Sequence, residues 1–446
     1  MKRITTLVLL STLTVLSGCK KVLDTKSELY IDQSQSIVDK RSAQAALVGA
    51  YNSLSQNSYQ GNTFRYVTNL LSDNLKWVGN TPTNREFDVY GVFTTNSRVQ
   101  ELWAAIYKTV NIANNIIEKV PTVKDVTLDQ AERSKERGEA FFIRALSYFD
   151  LVRLWGSVPI VSKATETADY AQRSKNSTAP AIYEFIEKDL DSAEALLPAT
   201  VNRNRANQYT AKALKARLYL YQANWTKAGA YATQLINDSA DFRLSRPYNQ
   251  FYTSRNSTES IFEVDYTINN KNSYAGNWFQ NPTTGGKKEL LPTDELVTLL
   301  KDLNIGGSRA ALLFTVNGVT YGNMNFHIAT GEDQSYILRL AEMYLIRAEA
   351  NAEQNKLEDG LKDLNIIRNR ASVPSITSIS DKDELVNKIL LERRVELAYE
   401  SHRWFDLIRT GKAQQVLGIA DANKLRLPIP RQEILINSNL AQNPGY

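Results

Sequence analysis

The sequence predicts an all-α protein: a tetratricopeptide-like scaffold of paired helices, interrupted by a loop-rich, partly β insertion. Three features point there. Apolar residues recur at i, i+3 or i+4, and i+7 through most of the chain, the period of a helix with one buried face. A basic residue followed by alanine marks three similar helical settings: Arg144-Ala145, the Lys-Ala pairs of 211–217, and Arg347-Ala348. Small residues there let two helices approach closely, and helix pairs of about 34 residues stack because none buries its apolar face alone. Finally, Phe262, Val264, Tyr266 and Ile268 alternate with Ile261, Glu263, Asp265 and Thr267, which is the period of a strand.

The chain opens with Lys2-Arg3 and an apolar run from Ile4 to Leu16, too short to span a bilayer and typical of a signal peptide. It ends in Leu16-Ser17-Gly18-Cys19, which resembles a bacterial lipobox. Cys19 is the only cysteine, so no intramolecular disulfide is available, whereas a thiol at this position has a use as a lipid acceptor. The expected division is a leader at 1–18, a lipid-anchored tether at 19–40 and one domain at 41–446.

Within that domain, residues 42–54 read as a short helix. Residues 58–97 read as polar loop with Tyr66, Trp77, Phe87 and Tyr90 scattered through it. A long helix at 98–120 is closed by Pro121, and the next, at 131–155, ends at Gly156 before Val158-Pro159. A helix at 180–197 lies between Pro180 and Pro198. Helix pairs follow at 211–236 and 338–370, so the scaffold is expected at about 98–240 and 336–410. The insertion, 241–335, carries a Gly-rich loop with Tyr274, Trp278 and Phe279, a helical piece at 296–300, and an Asn317-Gly318 hairpin signal. Residues 392–409 read as one amphipathic helix with a charged stripe of Glu392, Glu396, Glu400 and Arg403. Asp406 is spaced to pair with Arg403 and Arg409, each such pair adding roughly 0.2–0.5 kcal/mol. Gly411 ends it, and 411–446 is expected to be extended, with Pro428 and Pro430 fixing part of its path.

The chemistry-bearing residues are sparse. His327 and His402 are the only histidines, and no second histidine or cysteine stands at ligand spacing, so no metal is expected. There is no Gly-x-Ser-x-Gly elbow and no phosphate-binding glycine loop, so no cofactor is expected. The net charge is +5, and 5 − 2 = +3 without Lys2 and Arg3, which is too mild and too evenly spread for a nucleic-acid partner.

Three strings are more specific than any of these patterns. They are Glu139-Ala-Phe-Phe-Ile-Arg-Ala-Leu-Ser-Tyr-Phe-Asp-Leu-Val-Arg-Leu-Trp155 through Ile160, Glu392-Arg-Arg-Val-Glu-Leu397 with Glu400-Ser-His-Arg-Trp-Phe-Asp-Leu-Ile-Arg409, and Leu427-Pro-Ile-Pro-Arg-Gln-Glu-Ile434. Together with the lipobox they resemble the SusD/RagB family of nutrient-binding outer-membrane lipoproteins. The resemblance implies a non-enzymatic protein, lipid-anchored through Cys19 at the outer surface of the outer membrane. It would capture glycans, or in some members peptides, for a SusC-like TonB-dependent transporter. It also implies a site of loop aromatics: Trp77 and Trp278 stacking on sugar faces, Tyr274 or Phe279 beside them, and Asn74, Asn80 and Asn277 bonding hydroxyls. A helical-repeat adaptor and a lipid-anchored glycosidase are the readings from other functional classes.

Overall fold

The helices begin and end where side chains satisfy their free backbone groups. The computed structural model describes residues 37–165, 174–324, 328 and 330–446; Cys19, His327, the leader and most of the tether lie outside them. Helix α1 is Lys40–Leu54, capped by Asp39. Helix α3, Ser97–Lys119, starts at Asn96, whose side chain accepts the amides of Arg98 and Val99. Helix α4, Gln130–Trp155, starts with a reciprocal Asp129/Glu132 capping box. The scaffold continues with α5 (Ala179–Leu196), α6 (Gln208–Tyr221), α7 (Trp225–Asn237), α9 (Leu340–Glu353) and α10 (Leu357–Arg370). Neighbours pack as α3 on α4, α4 on α5, α6 on α7 and α9 on α10, and α7 meets α9 across the insertion.

The basic-alanine pairs have an equivalent role in two of these packings. Arg144 on α4 forms a two-pronged ion pair with Asp189 on α5, at 2.7 and 2.8 Å. Arg347 on α9 does the same with Asp363 on α10, both at 2.7 Å. Lys215 on α6 reaches Asp191 and Glu194 on α5. Each neighbouring alanine, Ala145, Ala216 or Ala348, is fully buried. The repeat is therefore a small residue for close approach beside a cation that pins an adjacent helix.

Helix α4 is the central element. From Gly138 to Trp155 every residue but Phe141 is buried, so this helix is covered on all sides. Its last carbonyls are taken by the far end of the chain. Leu427 N donates to Leu154 O at 2.9 Å, and Asn443 Nδ2 donates to Trp155 O at 2.8 Å. The Trp155 indole in turn donates to Pro428 O at 2.9 Å. Gly156 leaves the helix at φ 78°, a conformation that favours glycine.

The structure departs from expectation in several stretches, and at 58–97 the cause is burial that hides the pattern. Residues 58–97 are not plain loop. They hold α2 (Thr63–Leu70), all eight of whose residues are buried, strand β1 (Leu75–Trp77) and a short helix, Pro82–Asp88. A helix buried all round shows no polar face to read. The strand read at 261–268 is shorter: β4 (Ser260–Val264) pairs antiparallel with β8 (Ser335–Arg339), joining the two ends of the insertion. The hairpin β6–β7 (Leu313–Val316, Val319–Gly322) turns as expected, with Asn317 and Gly318 both at positive φ. The stretch 411–446 is extended only in part and includes Ala413–Leu417 and α13 (Arg431–Ile436).

The largest departure is at 392–409, which is two helices: α11 (Lys382–Glu396) and α12 (Arg403–Arg409). Between them Tyr399 and Ser401 adopt positive φ. The charged stripe faces inward. Glu396 accepts from Arg309 at 2.8 Å, from Arg339 at 2.6 Å, and from Arg370. Arg339 also grips Glu400 and the backbone oxygen of Glu396, which the helix end leaves free. Asp406 pairs with Arg409 and with Arg393, but Arg403 turns to Asp73, 2.8 Å on both prongs.

Burial alone would raise the Glu396 carboxyl. Arg370, Arg309 and Arg339 outweigh it and hold the group at about 2, against an ordinary 4.5. Its stabilising effect is present above pH 4.5 and is lost as pH falls toward about 2. Glu396→Gln leaves three buried guanidinium groups short of a counter-charge and should destabilise the fold by about 3–5 kcal/mol. Urea unfolding should show this as a lower midpoint. The difference from wild type should shrink between pH 4.5 and about 2; a difference independent of pH would contradict the assignment.

Candidate ligand-binding surface

Strand β1 pairs with β5 (Leu290–Pro292), so that Trp77 lies opposite Leu290. The turn Ala275–Phe279 folds beside it. The two aromatic loops expected to form one site do meet. The Trp77 and Trp278 rings contact edge to face with centroids 5.8 Å apart, and Trp278 meets Tyr66 at 6.0 Å. Tyr274 meets Phe279 at 5.0 Å, and Phe279 meets Tyr399 at 5.1 Å.

The rings are core, however, and this corrects the picture of exposed platforms. Trp77 and Trp278 are each 4% exposed, and Tyr274 and Phe279 are also buried. A sugar-stacking ring must offer one face to solvent. The chain's own backbone covers Trp77: a Cβ on Gly79 would fall 2.6 Å from its Cζ2. The Trp278 indole donates to Asn62 Oδ1 at 2.9 Å, and the Tyr274 hydroxyl to Tyr399 O at 3.1 Å. Asn74 is a buried structural amide whose Oδ1 accepts from Arg394 at 3.2 Å. Of the seven predicted residues, Asn80 is exposed and Asn277 half-exposed. Lys287 joins them: its ammonium lies 5.3 Å above the Trp278 ring, and its amide donates to Asn277 O at 2.8 Å. Two polar groups among these aromatics are buried and unsatisfied, the Trp77 Nε1–H and the Tyr399 hydroxyl.

A second concavity was not foreseen. A cleft of about 830 Å³ opens between α3, residues 159–165 and the segment from α13 to Leu440. Trp103 and Tyr107 form its aromatic floor, their rings 4.9 Å apart. Both lie on the apolar face of α3, so the helical period alone gives them as core. Glu433 stands at the wall; burial raises its carboxyl, and a hydrogen bond with Trp103 opposes that. Near the cleft, Thr94 O accepts from Arg431 N at 2.8 Å, which ties α13 to the loop carrying Phe93. Phe93 is 66% exposed and is the one exposed aromatic among the described residues.

His402 is buried, and burial with four nearby arginines lowers it well below its usual value, so it stays neutral. Its Nδ1 lies 3.8 Å from Glu342.

Two family models match the chain. One, described as the SusD family, covers residues 301–426; the other, described as starch-binding and associating with the outer membrane, covers residues 21–220. The SusD-like protein P2 of Formosa agariphila is 29% identical, over 90% of this chain and 92% of its own. A SusD superfamily protein from Bacteroides thetaiotaomicron VPI-5482 superposes with a TM-score of 0.82 at 24% identity, over 91% of this chain and 100% of that one. A laminarin-binding SusD-like protein superposes with a TM-score of 0.78 at 25% identity, over 92% of this chain and 100% of its own.

Because Trp278 is packed on all sides, Trp278→Ala should lower stability by about 3–5 kcal/mol in urea unfolding. Asn80→Ala, at an exposed position, should stay within about 0.5 kcal/mol of wild type. Equal effects of the two would mean that the Trp77–Trp278 contact does not form in solution.

Proposed function

Since the chain belongs to the SusD/RagB family, we propose that it is a lipid-anchored surface protein that binds oligosaccharides and hands them to a SusC-like TonB-dependent transporter in the outer membrane. The observation that carries this reading is the match along nearly the whole chain to a laminarin-binding relative of the same fold. Binding would need no catalytic group. Flat apolar surface buries the C–H faces of a sugar, and amides and charged tips select its hydroxyls.

The glycan surface is proposed over the Trp77–Trp278 pair, with Asn80, Asn277 and Lys287 as the groups that reach the ligand. Trp77 Nε1–H supports this choice, because a buried donor without a partner costs about 1–3 kcal/mol. A ligand hydroxyl admitted by a small shift of the Gly79 backbone would satisfy it. Trp278, Tyr274 and Phe279 act from beneath as a rigid bed. The carboxylates of the signature string, Glu396 and Glu400, are committed to Arg339 inside the core, so they are not a hydrolytic pair. Attachment would come through Cys19, as no helix among the described residues is long and apolar enough to cross a membrane.

Calorimetry of the purified chain against laminarin, starch and other glycan oligosaccharides tests the reading. Binding without release of shorter sugars is expected, weakened about tenfold or more by Asn80→Ala combined with Lys287→Ala, a loss of roughly 1.4 kcal/mol. Turnover of any bound oligosaccharide would overturn it. Independently, Cys19→Ser should move the protein from the membrane fraction to the soluble one; unchanged membrane association would remove the lipid anchor.

A further inference from the structure

A small internal cavity lies where α2, α4, α6 and β8 meet the break between α11 and α12. Its volume is about 20 Å³, room for one particle of water or halide size, since a single water needs about 10–15 Å³. All but one of its lining residues are buried.

Three arginines line this cavity, and two of them have acids of their own. Arg153 of α4 pairs with Asp150, and Arg217 of α6 grips Glu342 with two prongs. Arg65 of α2 differs. It is 2% exposed, yet its Nη1 and Nη2 have no hydrogen-bond partner among the described residues. Its guanidinium carbon lies 4.8 Å from the centre of the Tyr274 ring, a contact that uses none of its N–H groups. The acids on the lining are committed elsewhere. Asp150 accepts from Tyr59 and Gln60 as well as from Arg153, and both oxygens of Glu400 accept from Arg339.

His402, on the same lining, also has an unpartnered Nδ1; Glu342, 3.8 Å away, is too far for a hydrogen bond. Burial, and after it Arg217, Arg393, Arg153 and Arg339, keep this imidazole neutral. The arginines that disfavour a proton on His402 favour a negative ion beside it. A water would satisfy the orphaned donors but leave the Arg65 charge uncompensated, and an unpaired buried charge is strongly destabilising. An anion supplies acceptor and counter-charge together.

We propose that this cavity binds one small monovalent anion of halide size, held by Arg65 Nη1 and Nη2 with His402 beside it. The proposal stands apart from the glycan reading, but its consequence reaches the aromatic surface. Arg65 lies between Asn62, which accepts from the Trp278 indole, and Tyr66, which contacts the Trp278 ring. An ion joining α2 to the α11–α12 break fixes the helix on which that ring rests.

Two measurements on the purified chain test this. Crystals are grown from protein prepared with bromide as its halide, and anomalous diffraction is collected at the bromine edge. A bromide peak within hydrogen-bond reach of Arg65 Nη1 or Nη2 is expected; a peak of water height without anomalous signal overturns the site. In solution, urea unfolding is followed as chloride replaces gluconate at constant ionic strength, in wild type and in Arg65→Met. One site on the folded chain raises the folded-to-unfolded ratio about tenfold for each tenfold rise in chloride above the dissociation constant. Wild type should show that dependence relative to Arg65→Met, which keeps an apolar stem and loses the guanidinium. A bromide peak with the same chloride dependence in both proteins means an adventitious ion only, and overturns the proposal. The bromide measurement uses wild type alone, so it decides the matter even if Arg65→Met fails to fold.

Discussion

The fold closes around one buried charge cluster. Glu396, at the end of α11, is held by Arg309 from the insertion, by Arg339 at the end of β8 and by Arg370 from the last helix of the α9–α10 pair. Glu259 accepts from Arg339 and Arg370, and Glu392 pairs with Arg309 and Arg368. Charges this deep are expensive unless each is met by an opposite charge with directed hydrogen bonds. That requirement couples segments distant in sequence: the insertion must sit where its arginines reach the carboxylates, and α11 must stop where its free carbonyl can meet Arg339. The cluster therefore sets the break between α11 and α12. Through Asp73, which binds Arg394 and Arg403, it reaches the start of β1 and the aromatic surface.

Most of the scaffold was legible because its helices are amphipathic. α3, α4 and the α9–α10 pair carry the apolar period and visible stops, within a residue or two at most ends. Legibility failed where burial is complete. α2 mixes Thr63, Arg65, Thr68 and Asn69 with apolar residues, and all are inside, so neither period nor polarity marks it. The stripe of 392–409 read as a solvated face because charge is ordinarily a surface property. Nothing local in the sequence says that Arg309, Arg339 and Arg370 will arrive opposite it.

The two aromatic loops were legible in the sequence, and the burial of their rings was not. The loops lie together, but an aromatic in a loop can anchor the loop as easily as it can bind a ligand. Trp278 is satisfied by Asn62 and Tyr274 by Tyr399, partners that no spacing rule foretells. The reverse error hid the cleft. Trp103 and Tyr107, one helical turn apart, belong by period to the core face of α3, and only the arrival of 159–165 and α13 turns that face into a floor.

The capping of α4 by the chain's end bears on how the molecule comes into being. The bond from Trp155 Nε1 to Pro428 O closes a loop of 273 residues. A chain made from its N-terminus folds what it has as it emerges, and contacts of such separation form late. The middle of the fold is thus present early, but its central helix keeps exposed carbonyls until residues 427–443 arrive. A chain stalled or cleaved before Leu427 would carry every helix of the scaffold and still lack the segment that seals its core.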